Sequence, residues 1–160
     1  MSRIITQPRK DGPAFLLAQI GAHAAARFAE RLAPLGLTPP HAGILRILGN
    51  QPDMPQRALS DMLGIFPSRL VLLLDELEKL GLVERHASPT DRRSHALRLT
   101  PAGHAQLQAI GRVGRQHQDD LCASLTEAER GHLRKLLEKI AAQQKLRRGV
   151  HPGYRMLKEG

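Results

Sequence analysis

Two adjacent guanidinium side chains, Arg92 and Arg93, stand at the centre of ERHASPTDRRSHALRLT, residues 84–100, with Asp91 immediately before them. The segments around them, LVER and HALRL, are short and extended, with Leu97 and Leu99 alternating against Arg98, and HASPTDRRS between has the composition of a hairpin loop. Most hairpin tips are polar, so arginine there is by default a solvated turn. What a guanidinium adds is affinity for phosphate and for a narrow minor groove, where the negative potential is enhanced. Upstream, Ser68 and Arg69 open a leucine-rich segment, where they can donate to a phosphate or a base edge; arginine can fork onto guanine O6 and N7. Val71 and Leu72 fall off that segment's apolar stripe, placed to touch thymine methyl groups or to pack on a neighbouring element.

Other chemistries find less material. No HExxH, nucleophile elbow, phosphate loop or evident carboxylate pair occurs, so no catalytic residue, no cofactor and no enzyme activity are expected. Of the eight histidines, His104 and His117 are too far apart for one helical ligand face. A zinc site built from His23 or His41 with His104 stays open as a metal-responsive alternative, although core or surface histidine is the simpler reading and no metal is assigned. Cys122, the only cysteine, excludes an internal disulfide and suits a reducing cytoplasm.

These groups need a frame, and 160 residues at 41% hydrophobic composition suffice for one domain with a real core. Aromatic residues make up 2%, so the interior is aliphatic and little material is left for stacked-base platforms. The net charge of +9 favours a polyanionic partner. It is distributed unevenly: residues 51–100 hold seven basic and seven acidic side chains, so the excess lies at the two ends. Binding through that middle segment requires segregation, with Arg57, Arg69, Arg92, Arg93 and Arg98 facing phosphate while Asp75, Glu76 and Glu78 face elsewhere. Arg9 and Lys10 before PAFLLAQIGAHAAA imitate a signal peptide, but Asp11, Gln19 and His23 interrupt it, and no window approaches the roughly 18 apolar residues of a membrane span.

Punctuation by proline, glycine and caps orders the elements. A helix from Pro13 carries the stripe Leu17, Ile20, Ala24, Phe28 and Leu32 and closes near Pro34–Gly36; its long apolar face needs a partner. A second runs from the Thr38 cap to a stop at Gly49, with Ile44, Leu45 and Leu48 inward. PQRALSDMLG supplies a short third helix ending at Gly64, and a fourth spans Ser68 to Leu80, with Leu70, Leu73, Leu74, Leu77 and Leu80 on one side. After the hairpin, Thr100–Pro101 opens a fifth that continues to Leu125, and the capping box TEAE at 126–129 opens a sixth with Leu133, Leu136, Leu137 and Ile140 on its apolar face. From Lys145 onward the chain reads as a basic arm.

Helix, tight turn, helix, hairpin is the order of a winged helix-turn-helix. The stretch RALSDMLGIFPSRLVLLLDELEKLGLVERHASPTDRRSHALRLTPAG resembles the signature region of the MarR family of bacterial transcriptional regulators, and the flanking helices extend the resemblance over about residues 13–144. It implies a mainly α fold in a single domain, 1–160, with dimerisation helices at 13–36 and 101–144, a winged helix-turn-helix at 38–100 and the basic arm at 145–160. It further implies a cytoplasmic homodimer on a pseudo-palindromic operator in double-stranded DNA. Within the matching motif, Asp91 would orient the wing and Arg93 would enter the minor groove, while Arg92 meets phosphate. Relatives commonly carry a Thr–Arg pair where this chain has Val71 and Leu72, a departure that puts guanine readout there in doubt. The family also implies repression released by a small phenolic or other organic anion, and by position Gln19, His23, His41 and Arg46 are the candidates for that pocket. A winged helix used as a protein-interaction module, without specific DNA binding, is the competing reading.

Overall fold

The computed structural model of the chain describes residues 10–90 and 92–156. Asp91 lies outside these residues.

Helix α1 (Pro13–Leu32) begins with proline in its first turn and passes into a short 3-10 turn, Ala33–Leu35, closed by Gly36 at φ 70°. Helix α2 (Pro39–Asn50) follows Thr38, whose backbone N–H donates to His41 Nδ1 at 3.2 Å. Gly49 does not stop α2 as its sequence suggests. It is helical, and a Cβ there would come within 2.3 Å of a Leu107 methyl, so glycine serves close packing rather than termination.

Strand β1 (Met54–Pro55) leads into α3 (Gln56–Leu63), which ends at Gly64 with φ 67°. The Ser60 hydroxyl donates to the Ile65 carbonyl at 2.8 Å and fixes the turn into α4 (Pro67–Lys79). α4 starts one residue before the expected Ser68, with Phe66 at its cap position and Ser68 inside the first turn. Leu70, Leu73, Leu74 and Leu77 are buried as their spacing predicts, but Leu80 is half exposed because the helix has already ended at Lys79.

Strands β2 (Val83–Ala87) and β3 (His95–Leu99) form the hairpin, antiparallel from Val83 opposite Leu99 to Ala87 opposite His95. β1 pairs with the other edge of β3, a third strand too short to be read from sequence. Helix α5 (Pro101–Leu121) is capped by Thr100, whose hydroxyl accepts from the Gly103 N–H at 2.9 Å. Gly103 lets α5 approach the sheet: a Cβ there would sit 2.1 Å from the Leu82 carbonyl oxygen. α5 ends at Leu121 rather than Leu125, and α6 (Glu127–Gln143) starts from the reciprocal Thr126–Glu129 box at 2.7 and 3.2 Å.

The core is centred in the lobe of α2, α3, α4 and the sheet, where Ile44, Leu45, Leu59, Leu74, Leu77 and Leu97 are fully buried, and it is joined by Leu32 at the end of α1 and Ile110 of α5. Burying each such side chain contributes about 1.5–3 kcal/mol. α6 has no buried residue. The segment after α6, read from sequence as an arm, instead folds back: Tyr154 is buried and Val150 packs on the same core.

Candidate nucleic-acid interface

Packing of the leucine stripe against the core turns the opposite side of α4 outward, and with it Ser68, Val71 and Leu72. Arg69 is half-buried, and its Nε has no hydrogen-bond partner. Between α3, the start of α4 and the wing runs an open groove of about 850 Å³, bordered by Gln56, Arg57, Pro67, Arg93 and His95. The fold thus brings Arg57 and Arg93, 36 positions apart in sequence, to one concave surface. Arg92 is exposed at the wing tip. His95 on this surface was missed by sequence reading, since a strand residue after a polar loop carries no distinctive signal.

The acidic residues of α4 are drawn away by internal partners. Arg85 on β2 donates to Asp75 at 2.9 Å, to Glu78 at 2.8 Å and to the Val71 carbonyl at 3.3 Å. One guanidinium therefore engages both carboxylates and bolts the wing to α4. Glu76 meets His41: because Nδ1 accepts from Thr38, the ring proton sits on Nε2, which donates to Glu76 at 2.6 Å. Arg85 was absent from the sequence reading, although charge neutrality over residues 51–100 signals that such pairs must exist. Arg98 pairs with Asp53 rather than joining the outward arginines, and its guanidinium holds the Asp53 carboxyl below the usual carboxylate range.

A second concavity, about 350 Å³, lies between α1, α2, α5 and the folded-back tail, with Phe28, Ala42, Gly43, Arg46, Ile110 and Tyr154 among its walls. Of the four residues expected at a ligand pocket, only Arg46 lines it. Gln19 and His23 are exposed on α1 outside it, and His41 is buried but spent on Thr38 and Glu76. Burial pushes the Tyr154 phenol above the ordinary tyrosine range. Among the described residues, no group of three His, Cys, Asp or Glu side chains could hold a metal ion, so His23, His41 and His104 do not converge on one. No helix among them is long and apolar enough to cross a membrane.

A helix–turn–helix carrying an arginine-bearing β-wing, flanked by long helices with exposed apolar faces, defines a winged-helix protein of the regulator class. Residues 35–94 match the MarR family profile. The chain is 31% identical over 128 residues to the HTH-type transcriptional repressor Rv2887 of Mycobacterium tuberculosis, covering 80% of this chain and 92% of that protein. It belongs to the MarR family. A crystal structure of Rv2887 in complex with salicylic acid superposes with a TM-score of 0.66 over 82% of this chain and 98% of that one. CouR, a transcriptional repressor bound to a 23-mer DNA duplex, is 34% identical with a TM-score of 0.73 over 81% and 92%. A candidate regulator of the hcr operon in Thauera aromatica is 37% identical over 108 residues, 68% of this chain, and the chain spans 65% of that protein's length.

Proposed function

We propose that the protein is a cytoplasmic, homodimeric DNA-binding repressor without enzymatic activity, released from its operator by a small organic anion. The groove that joins Arg57, the first turn of α4 and Arg93 carries this reading. In it, α4 enters the major groove with Ser68 and Arg69 toward phosphate or base edges and Val71 and Leu72 toward thymine methyl groups. The wing lays Arg93 into the minor groove, and Arg92 and Arg57 meet phosphates. Residues 38–100 are then the reading head, and residues 13–36 and 101–144 the dimerisation helices of a single MarR-type domain, 1–160.

Dimerisation is supported by what the lobe leaves uncovered: Phe15, Leu16, Leu17 and Ile20 on α1, and Leu133, Leu136, Leu137 and Ile140 on α6, all 38% exposed or more. A second copy seated on these faces would set two α4 helices roughly 34–36 Å apart, the spacing of successive major grooves on one side of a duplex. The salicylic acid complex of Rv2887 and the DNA complex of CouR support the ligand and the nucleic-acid partner respectively. A protein-interaction role draws on the exposed Phe66, Val71 and Leu72. Titration of the dimer against DNA upstream of its own coding region, over a range of salt, decides between them. The expected result is sequence-selective binding whose log affinity falls by about 0.9 per log unit of salt for each phosphate engaged. Salt-independent or sequence-blind binding would overturn the repressor reading.

A further inference from the structure

Beyond Gln143 the chain reverses and closes the second cavity. Lys145 at φ 55° and Gly149 at φ 76° turn it back along α2. Three hydrogen bonds tie it down: Arg147 to the Asp61 carbonyl at 3.4 Å, Arg46 to the Gly149 carbonyl at 2.6 Å, and the Tyr154 hydroxyl to the Pro40 carbonyl at 2.6 Å. Tyr154 is 5% exposed. It fits because residue 43 has no side chain: a Cβ there would lie 2.1 Å from the phenolic oxygen. Ordering a tail costs conformational entropy, and a solvated extension would forgo these contacts.

The chemistry of the enclosed space is specific. Its walls are mostly apolar, with the Phe28 ring from α1, Ile110 from α5 and the Tyr154 ring from the tail. Polarity comes from the Arg46 guanidinium and the His151 imidazole at the side where Gly149 passes. A guanidinium has five N–H donors in a planar fork that matches a carboxylate, and the Gly149 bond holds that fork against the cavity. The volume, about 350 Å³, is near the lower end for small-molecule sites.

We propose that residues 147–154 are the fourth wall of the effector site and select its ligand, a flat single-ring aromatic carboxylate. Its ring lies against Phe28, Ile110 and Tyr154, and its anionic end meets Arg46, which the tail positions. This rests on the effector reading above and adds to it the part of the chain that makes the site. The tail is thus a binding element rather than an auxiliary basic arm.

Calorimetric titration of the full chain with salicylate and with cinnamate, repeated on the chain ending at Leu146 and on Tyr154→Ala, tests this. Both alterations are expected to weaken either acid at least tenfold, with helicity by circular dichroism retained. Tyr154→Phe keeps the ring and loses only the Pro40 bond, so a smaller loss, about two- to fivefold, is expected even if the larger changes disturb folding. Equal or tighter binding without the tail would overturn the inference while leaving the effector reading standing, because the tail would then be a bystander or a competitor. If the intact chain binds neither acid while still binding its operator, the organic-anion reading fails and the inference falls with it.

Discussion

In the winged-helix lobe Leu59, Leu70, Leu74, Leu77 and Leu97 are completely enclosed, whereas on α6 Leu133, Leu136, Leu137 and Ile140 remain 38%, 46%, 39% and 44% exposed. Both regions use the same aliphatic residues at the same helical spacing, so hydrophobic patterning does not separate them. The lobe has a sheet and three helices to close around its leucines. α6 has no such layer within the chain, and α1 is covered only toward its C-terminal end, where Leu32 is buried and Phe28 packs on the core, leaving Phe15, Leu16, Leu17 and Ile20 open. The lobe therefore reaches its fold through contacts within one chain, whereas the arms carry apolar faces that the proposed second copy would cover.

The largest expected effect follows on the arm side. Leu137→Glu puts a carboxylate on the face proposed to meet the second copy, and an unpaired buried charge costs roughly 3–5 kcal/mol, a hundredfold or more in dimer dissociation. Sedimentation should show monomers at micromolar concentration, with operator binding lost because one reading head lacks its twin. A variant that stays dimeric would assign this face to something else. On the lobe side, Leu74→Ala should cost about 2–5 kcal/mol of folding stability in chemical denaturation, since it opens a cavity among side chains that cannot collapse into it. If the loss were below about 1 kcal/mol, the enclosure contrasted here with α6 would be illusory.

A narrower contrast lies within the wing. Arg93 borders the groove with Arg57, while Arg98, five residues on, faces Asp53. Arg93→Ala is expected to weaken operator binding by about 1–3 kcal/mol, roughly fivefold to 150-fold, with dimer and fold intact. Arg98→Ala should change it by less than about twofold, as for an exposed surface pair. Electrophoretic mobility shifts at one fixed salt concentration measure both, and equal losses would remove the distinction between the two arginines.

The order of elements was legible from sequence because its signals are local. Proline in the first turn of α1, Gly64 at the left-handed end of α3 and the Thr126–Glu129 box each decide a boundary within a few residues. Gly49 and Gly103 misled or obscured for the opposite reason: their role is to let Leu107 and the Leu82 carbonyl come close, which is settled by distant chain. The same applies to the site. Adjacent arginines in a loop announce a wing, but Arg85 gathering Asp75 and Glu78, and His41 turned toward Glu76, depend on how the hairpin and α2 pack on α4. Tyr154 was invisible because a Gly/Pro-broken basic tail has no periodicity from which a buried anchor could be read.

The smallest effect concerns the seam between α1 and α5. His117 on α5 lies against Phe28 of α1, ring centroids 5.5 Å apart, beside Arg31, which is paired with Asp120. Burial first, then the positive charges of Arg31 and Arg27, hold its imidazole below the usual histidine range, with Asp120 opposing and His23 adding slightly to the depression. A folded-state value lowered beneath the unfolded one means that the unfolded chain binds the proton more readily. The contribution of the neutral ring is thus complete above the unfolded value of about 6.5 and is lost as pH falls through the lower folded value. The thermal midpoint should decline as pH is lowered from 7.5 to 5, and His117→Gln, which cannot take up a proton, should flatten part of that decline. Leu74→Ala, by contrast, should lower the midpoint equally at both ends of the range. If His117→Gln leaves the slope unchanged, the pH response originates outside the α1–α5 seam, and the arms differ from the lobe in exposure alone.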